Sequence, residues 1–182
     1  MTGDGIGQRA FDAAVADARL AVVELDGARR WLAEAGPGFE GPLAAEVWVF
    51  DGALSRVLLV RHRWRGLVPP GGRVEPGEAP REAAGRELLE ETGLRAELFR
   101  EPALATVRSY RPGVAATFGL SYVAVVDVGV GVPLRAESGQ PAAWMRLEDE
   151  WEGCFPGDRA RMRRHAARVA SRSGRGRRPA GS

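Results

Sequence analysis

The stretch from residue 66 to residue 93 constrains the fold more than any other. Residues 66–78 hold four glycines and three prolines among polar residues, a composition that breaks helix and strand alike and marks a loop with demanding backbone geometry. A helix is predicted to follow directly. Pro80 suits its first turn, Ala83, Ala84, Leu88 and Leu89 give an apolar face, and Gly93 stands where a C-cap glycine belongs.

Around this unit the pattern is that of strands. Glu46–Phe50 and Arg56–Val60 flank an Asp51-Gly52 turn and read as a hairpin. Further strands are predicted over 96–109, over 116–127, where Phe118, Leu120, Tyr122, Ala124 and Val126 alternate with Val123 and Val125, and over 142–147. A helix is predicted from Asp26 as N-cap to Ala35, ahead of Gly36-Pro37. Another runs from Asp158 to about Ser171. The chain's 182 residues suffice for one domain with its own core. The expected division is a helical extension over 1–40, one domain over 41–172 and a disordered basic tail over 173–182.

Composition removes whole classes of function. Cys154 is the single cysteine, which excludes a disulfide-stapled scaffold and a thiolate zinc cluster. All 26 basic residues are arginine, so Schiff-base chemistry and a lysine base are unavailable. No run approaches the roughly 18–20 apolar residues that span a bilayer, and no basic-then-apolar leader opens the chain; no membrane association and a cytoplasmic location are expected. Residues 158–182 carry +8 and the preceding 157 carry −6. An acidic body with a basic end is not the pattern of a dedicated nucleic-acid binder, whose basic patch lies on the folded domain.

The chemistry concentrates on the 79–92 helix. Glu87, Glu90 and Glu91 stand at i, i+3 and i+4, so three carboxylates leave one face within about one turn. Like charges so placed repel, and a cation between them relieves the repulsion. Oxygen ligands without His or Cys favour a hard ion, Mg²⁺ or Mn²⁺, that shares its coordination with substrate phosphates. Arg86 is positioned to orient one of these carboxylates through a forked hydrogen bond.

Gly72, five residues, Glu78, seven residues, then Arg86-Glu87-Leu88-Leu89-Glu90-Glu91-Thr92-Gly93-Leu94 resembles the Nudix box at every fixed position, in the expected loop-then-helix context. The resemblance extends over about residues 44–165. It implies an α/β/α sandwich with a mixed β-sheet, and hydrolysis of a diphosphate linked to another moiety in a small nucleotide or related substrate. It also implies a metal set of Glu87, Glu90 and Glu91 with the Gly72 carbonyl, and catalysis by the same glutamates. Leu67 to Gly72 resembles the family's approach to the box, and Val60-Arg61-His62-Arg63 places cations where relatives hold phosphate, with Arg61 or Arg63 as the candidate contact.

Glu137, ahead of Gly139-Gln140-Pro141 and Trp144-Met145, is similar to the MutT-type pyrophosphohydrolases, in which such a glutamate reaches the metal site. Ser138 is an insertion relative to that pattern, and Glu137 is either a further ligand or base, or a loop carboxylate. Asp158 is either a helix N-cap or an acceptor for a purine edge. Trp48, Trp64, Tyr110 and Phe118 are base-stacking or core residues.

The implied activity is that of a MutT-like enzyme on nucleoside tri- or diphosphates. Hydrolysis of a nucleotide sugar or other diphosphate is the alternative, and a non-catalytic sensing module stands further off. The first 40 residues have no counterpart in minimal MutT-type proteins; a cover for the sheet, a homodimer contact and a substrate mouth are the roles open to them.

Overall fold

The sheet is built on one long pairing. In the computed structural model, which describes residues 7–37, 39, 41–109, 113–127, 141–153 and 155–175, the strand Leu43–Asp51 (β2) lies parallel to Thr117–Val126 (β7), matched from Leu43↔Phe118 to Asp51↔Val126. Between them in sequence come Arg56–His62 (β3), Gly66–Val68 (β4), Gly71–Arg73 (β5) and Leu104–Arg108 (β6). Ala142–Arg146 (β8) pairs with β3, and Val23–Glu24 (β1) pairs in parallel with β6. The path β1-β6-β7-β2-β3-β4, with β5 on β2 and β8 on β3, is a mixed eight-stranded sheet.

Strand alternation sorts side chains to two faces. Val47, Val49, Leu120, Tyr122 and Ala124 pack with the helices Gln8–Leu20 (α1), Ala28–Ala35 (α2) and Pro80–Thr92 (α3). Trp48, Phe50, Val57, Leu59 and Val123 pack with Met162 and Ala166 of Asp158–Arg175 (α4). The result is an α/β/α sandwich. Buried Trp48 and Phe118 are core residues, whereas Trp64 is exposed.

The N-terminal helices enter the same core through Phe11, Ala14, Ala18 and Leu32. The Tyr122 hydroxyl donates to Asp17 of α1. Arg81 of α3 donates to the carbonyls of Leu98, Phe99 and Arg100 at 3.3, 2.9 and 2.7 Å. Those bonds explain why the strand expected over 96–109 is confined to β6: the 98–100 carbonyls are occupied by a guanidinium. Asp26 is not the N-cap of α2. Its φ is 58°, Gly27 occupies the cap position, and the first-turn N–H of Arg29 donates instead to the Glu24 carboxylate at 2.9 Å. α4 continues to Arg175, past the expected end near Ser171.

His165 of α4 is buried, stacked on Phe50 at 6.4 Å and edge-on to Trp48 at 6.0 Å. Burial, reinforced by the Arg168 and Arg172 charges, lowers its pKa to about 4, with Glu101 opposing. The unfolded imidazole takes its proton near pH 6.5, so between about 6.5 and 4 the unfolded chain binds more protons and stability falls as pH falls. The contribution lost is as much as about 3 kcal/mol. Urea unfolding of the wild type and of His165→Phe across pH 7.5–4 is expected to show a steeper loss for the wild type; parallel curves would remove His165 as a source.

Candidate active site

The Gly/Pro-rich loop earns its composition by close approach. A Cβ on Gly71 would lie 2.5 Å from the Ala45 carbonyl oxygen and 2.6 Å from the Glu46 Cα, so β5 can lie against β2 only with glycine there. A Cβ on Gly72 would overlap the Glu87 carboxylate. The two glycines thus bring loop backbone directly onto the carboxylate face of α3. Glu82 reaches back to the Ala79 N–H at 2.9 Å, half of a capping box, and Gly93 closes the helix with φ 72°.

Arg86 organises the acidic cluster. Its Nε and Nη2 donate to the two Glu78 oxygens, both at 3.0 Å, and Nη1 donates to Glu87 Oε1 at 2.8 Å and Glu90 Oε2 at 3.2 Å. Nη2 also reaches the Arg73 carbonyl at 3.0 Å. The bond to Glu78, followed by those to Glu87, holds the Arg86 guanidinium protonated well above its ordinary range. Glu91 stands apart from this fork and accepts from the Gly71 N–H at 2.9 Å. Burial pushes its carboxyl up to about 7; the Gly71 hydrogen bond and Arg65 oppose the rise, and Glu87 and Glu90 add to it.

Among the described residues no three carboxylates, histidines or thiols converge on one point. Glu87 and Glu90 turn to Arg86, and Glu91 turns to the Gly71 N–H. The donor set nevertheless fits a hard divalent ion. It consists of oxygens on one helical turn beside the Gly72 backbone, and Glu91 carries a charge that its surroundings leave under-compensated.

Beside this cluster lie two cavities. One, of about 400 Å³, is lined by Glu46, His62, Arg65, Gly71, Gly72 and Arg108, among others. The second, of about 740 Å³, shares Glu46, Arg65 and Pro69 with the first and extends to Trp151, Phe155 and Asp158. Asp158 is buried in a bidentate pair with Arg108 at 2.7 and 2.9 Å and accepts from Arg161 at 2.8 Å. It is the first residue of α4 and meets guanidinium groups.

Of the two candidate phosphate contacts, Arg61 is exposed on β3 and Arg63 lies over the Trp64 ring at 4.1 Å. His62 and Arg65 line the smaller cavity. Glu137 and Tyr110 lie outside the described residues.

Sequence reasoning did not single out Glu46 or Arg65. The signal for Glu46 was a lone charged residue inside the apolar run 43–50. Its Oε1 accepts from Ser121 Oγ at 2.6 Å and Trp48 Nε1 at 2.9 Å. Burial, then the Asp158 charge, raises its carboxyl above the ordinary range, with Ser121, Trp48 and Arg108 opposing.

The chain is similar to known proteins in sequence and in fold. Two Bacillus subtilis proteins named putative 8-oxo-dGTP diphosphatases are similar over short stretches: one, YtkD, is 49% identical over 54 residues, covering 30% of this chain and 34% of the relative, and the other 69% identical over 45 residues, covering 24% and 30%. The chain thus spans about a third of the length of these curated relatives. Among solved structures, a C. elegans Ap4A hydrolase superposes with a TM-score of 0.58 at 20% identity, over 71% of this chain and 98% of that one, a likeness of fold. The NUDIX domain model matches residues 41–168, well over half of the sequence and the whole run from the start of β2 into α4. On that match the chain belongs to the NUDIX domain family.

Proposed function

We propose that the protein is a divalent-metal-dependent hydrolase of a phosphoanhydride bond in a small nucleotide, a nucleoside tri- or diphosphate first of all. The observation that carries this reading is that Glu87 lies against Gly72 and Glu91 accepts from the Gly71 N–H, two glycines that line a cavity together with Arg65 and His62. Mg²⁺ or Mn²⁺, held by these glutamates and the Gly72 carbonyl, supplies charge neutralisation at phosphate and an acidified water when bound. Arg86 fixes Glu87 and Glu90 in direction, and the Gly71 N–H fixes Glu91. Arg65 brings positive charge to the cavity wall, where it favours phosphate oxygens. Glu137 joins the set as a further carboxylate on the strength of the MutT-type resemblance, and Arg61 or Arg63 as further phosphate contacts.

The Bacillus relatives' names support a nucleoside triphosphate of purine type. The second cavity favours an alternative, a two-part substrate such as a nucleotide sugar, whose second half needs room beyond the first.

Release of phosphate and pyrophosphate is to be measured from a panel of nucleoside di- and triphosphates, oxidised purine nucleotides, nucleotide sugars and dinucleotides, with and without EDTA. Turnover of a triphosphate that requires the metal is expected. Metal-independent turnover, or none across the panel, would sink the reading, and preference for a nucleotide sugar would replace it with the alternative.

A further inference from the structure

Glu46 lines both cavities, and its hydrogen bonds are arranged asymmetrically. It is the Cα partner of Gly71 across the β2/β5 ladder, and Gly71 is the residue whose N–H holds Glu91. The Glu46 and Gly71 Cα atoms are therefore one strand spacing apart, about 5 Å. It belongs to the lining of both cavities, so it stands on the wall they share. One of its oxygens, Oε1, already accepts two donors, the Ser121 hydroxyl and the Trp48 indole N–H. Both donors belong to core strands and cannot swing away: Trp48 is 1% and Ser121 2% exposed. The pair fixes the plane of the carboxyl and leaves Oε2 with no hydrogen-bond partner among the described residues.

The Arg108 guanidinium on the same cavity wall is engaged elsewhere. Arg108 lines the smaller cavity, but both ends of its fork are engaged by Asp158 at 2.7 and 2.9 Å, and its Nε by the Thr106 hydroxyl at 3.0 Å. It is further held over the Phe155 ring at 4.3 Å. A carboxyl oxygen with no protein donor, on a cavity wall, is an acceptor that a ligand donor can meet in place of water.

We infer that Glu46 is a specificity-determining residue, its Oε2 accepting a ring N–H from the organic moiety of the substrate, as a guanine-type or other lactam edge provides. The inference rests on the proposed nucleotide hydrolysis for the direction in which the substrate lies, with phosphates at the box and ring toward β2. A ring bearing only an acceptor or a methyl group at that edge leaves Oε2 unsatisfied and is rejected.

The test compares guanosine triphosphate with 1-methylguanosine triphosphate, which lacks the N–H, in the wild type and in Glu46→Gln. In the variant the amide oxygen must stay with Ser121 and Trp48, so the amide NH₂ takes the place of Oε2 and meets the ring N–H as donor against donor. Wild type is expected to prefer the unmethylated nucleotide by about ten- to a hundredfold in kcat/KM, carried mainly by KM, and Glu46→Gln to erase that preference. Equal preference in the two proteins, or none in the wild type, would overturn the role of Glu46.

Should Glu46→Gln fail to fold, Ser121→Ala keeps the carboxyl and loosens its orientation. It is expected to reduce the preference severalfold, and an unchanged preference would count against the assignment. Calorimetric binding of the two nucleotides to Glu91→Gln separates the inference from the activity. Discrimination in binding without wild-type turnover of any nucleotide would leave the Glu46 assignment standing and remove the proposed reaction; turnover with no discrimination would do the reverse.

Discussion

Glu91→Gln is expected to lower turnover of the preferred substrate by roughly a thousandfold at saturating metal, the size of effect that follows loss of a positioned acid–base or metal-holding carboxylate. The fold is expected to survive. The amide still accepts from the Gly71 N–H, and the change removes a charge that its surroundings disfavour. Because burial raises the Glu91 carboxyl to about 7, the folded protein holds that proton more tightly than the unfolded chain, whose value lies near 4.3. Stability from this group is full below about 4.3 and is lost as pH rises toward 7. In metal-free buffer above pH 7, Glu91→Gln should therefore melt at or above the wild-type temperature while turning over almost nothing. Initial rates and a thermal melt on the same preparation decide the matter; near wild-type rates would remove Glu91 from the catalytic set.

The second large effect belongs to Arg86. Its fork is shared by Glu78, Glu87 and Glu90, and the first two carboxylates are about one-sixth exposed. Arg86→Ala leaves three carboxylates facing one another without a counter-charge. Breaking a buried pair costs about 3–5 kcal/mol, and partial solvent access reduces this to roughly 2–3 kcal/mol. For a chain of this size that is a fall of about 5–10 °C in melting temperature. Activity is expected to fall at least a hundredfold, since Glu87 and Glu90 lose their orientation. Arg86→Lys should recover part of the stability and little of the activity, because an ammonium cannot span both Glu78 oxygens and still reach Glu87. Millimolar Mg²⁺ should raise the melting temperature of Arg86→Ala more than that of the wild type; an equal rise would detach the carboxylates from the metal.

The parts legible in the sequence are those whose information is local. The β2–β3 hairpin announced itself by alternation around Asp51-Gly52, and the Asp51 carboxylate accepts from the backbone N–H groups of Ser55 and Arg56 at 2.7 and 2.9 Å. α3 announced itself by Pro80, Gly93 and its apolar face. β7 was readable because ten residues alternate between two buried faces. What escaped depends on distant partners. Two residues, Val23 and Glu24, carry no periodicity, and they form a strand only because β6 offers an open ladder. The end of the strand expected over 96–109 was lost to Arg81, a residue on another element. In the site, the glutamates and Arg86 share one helix, so spacing alone grouped them. Glu46 and Arg65 reach the same place from β2 and from the loop after β3, and only the closed sheet brings them together.

The short strand β1 has a consequence beyond its length. The backbone N–H groups of Val22, Val23 and Leu25 donate to the carbonyls of Pro102, Ala103 and Ala105, so the outermost face of β6 is already taken by the chain's own N-terminal segment. β1 itself is two residues long and runs straight into the turn before α2. An intruding peptide would find almost no free ladder there to extend. Residues 22–25 thus act as a selvedge, a finished border along this side of the sheet.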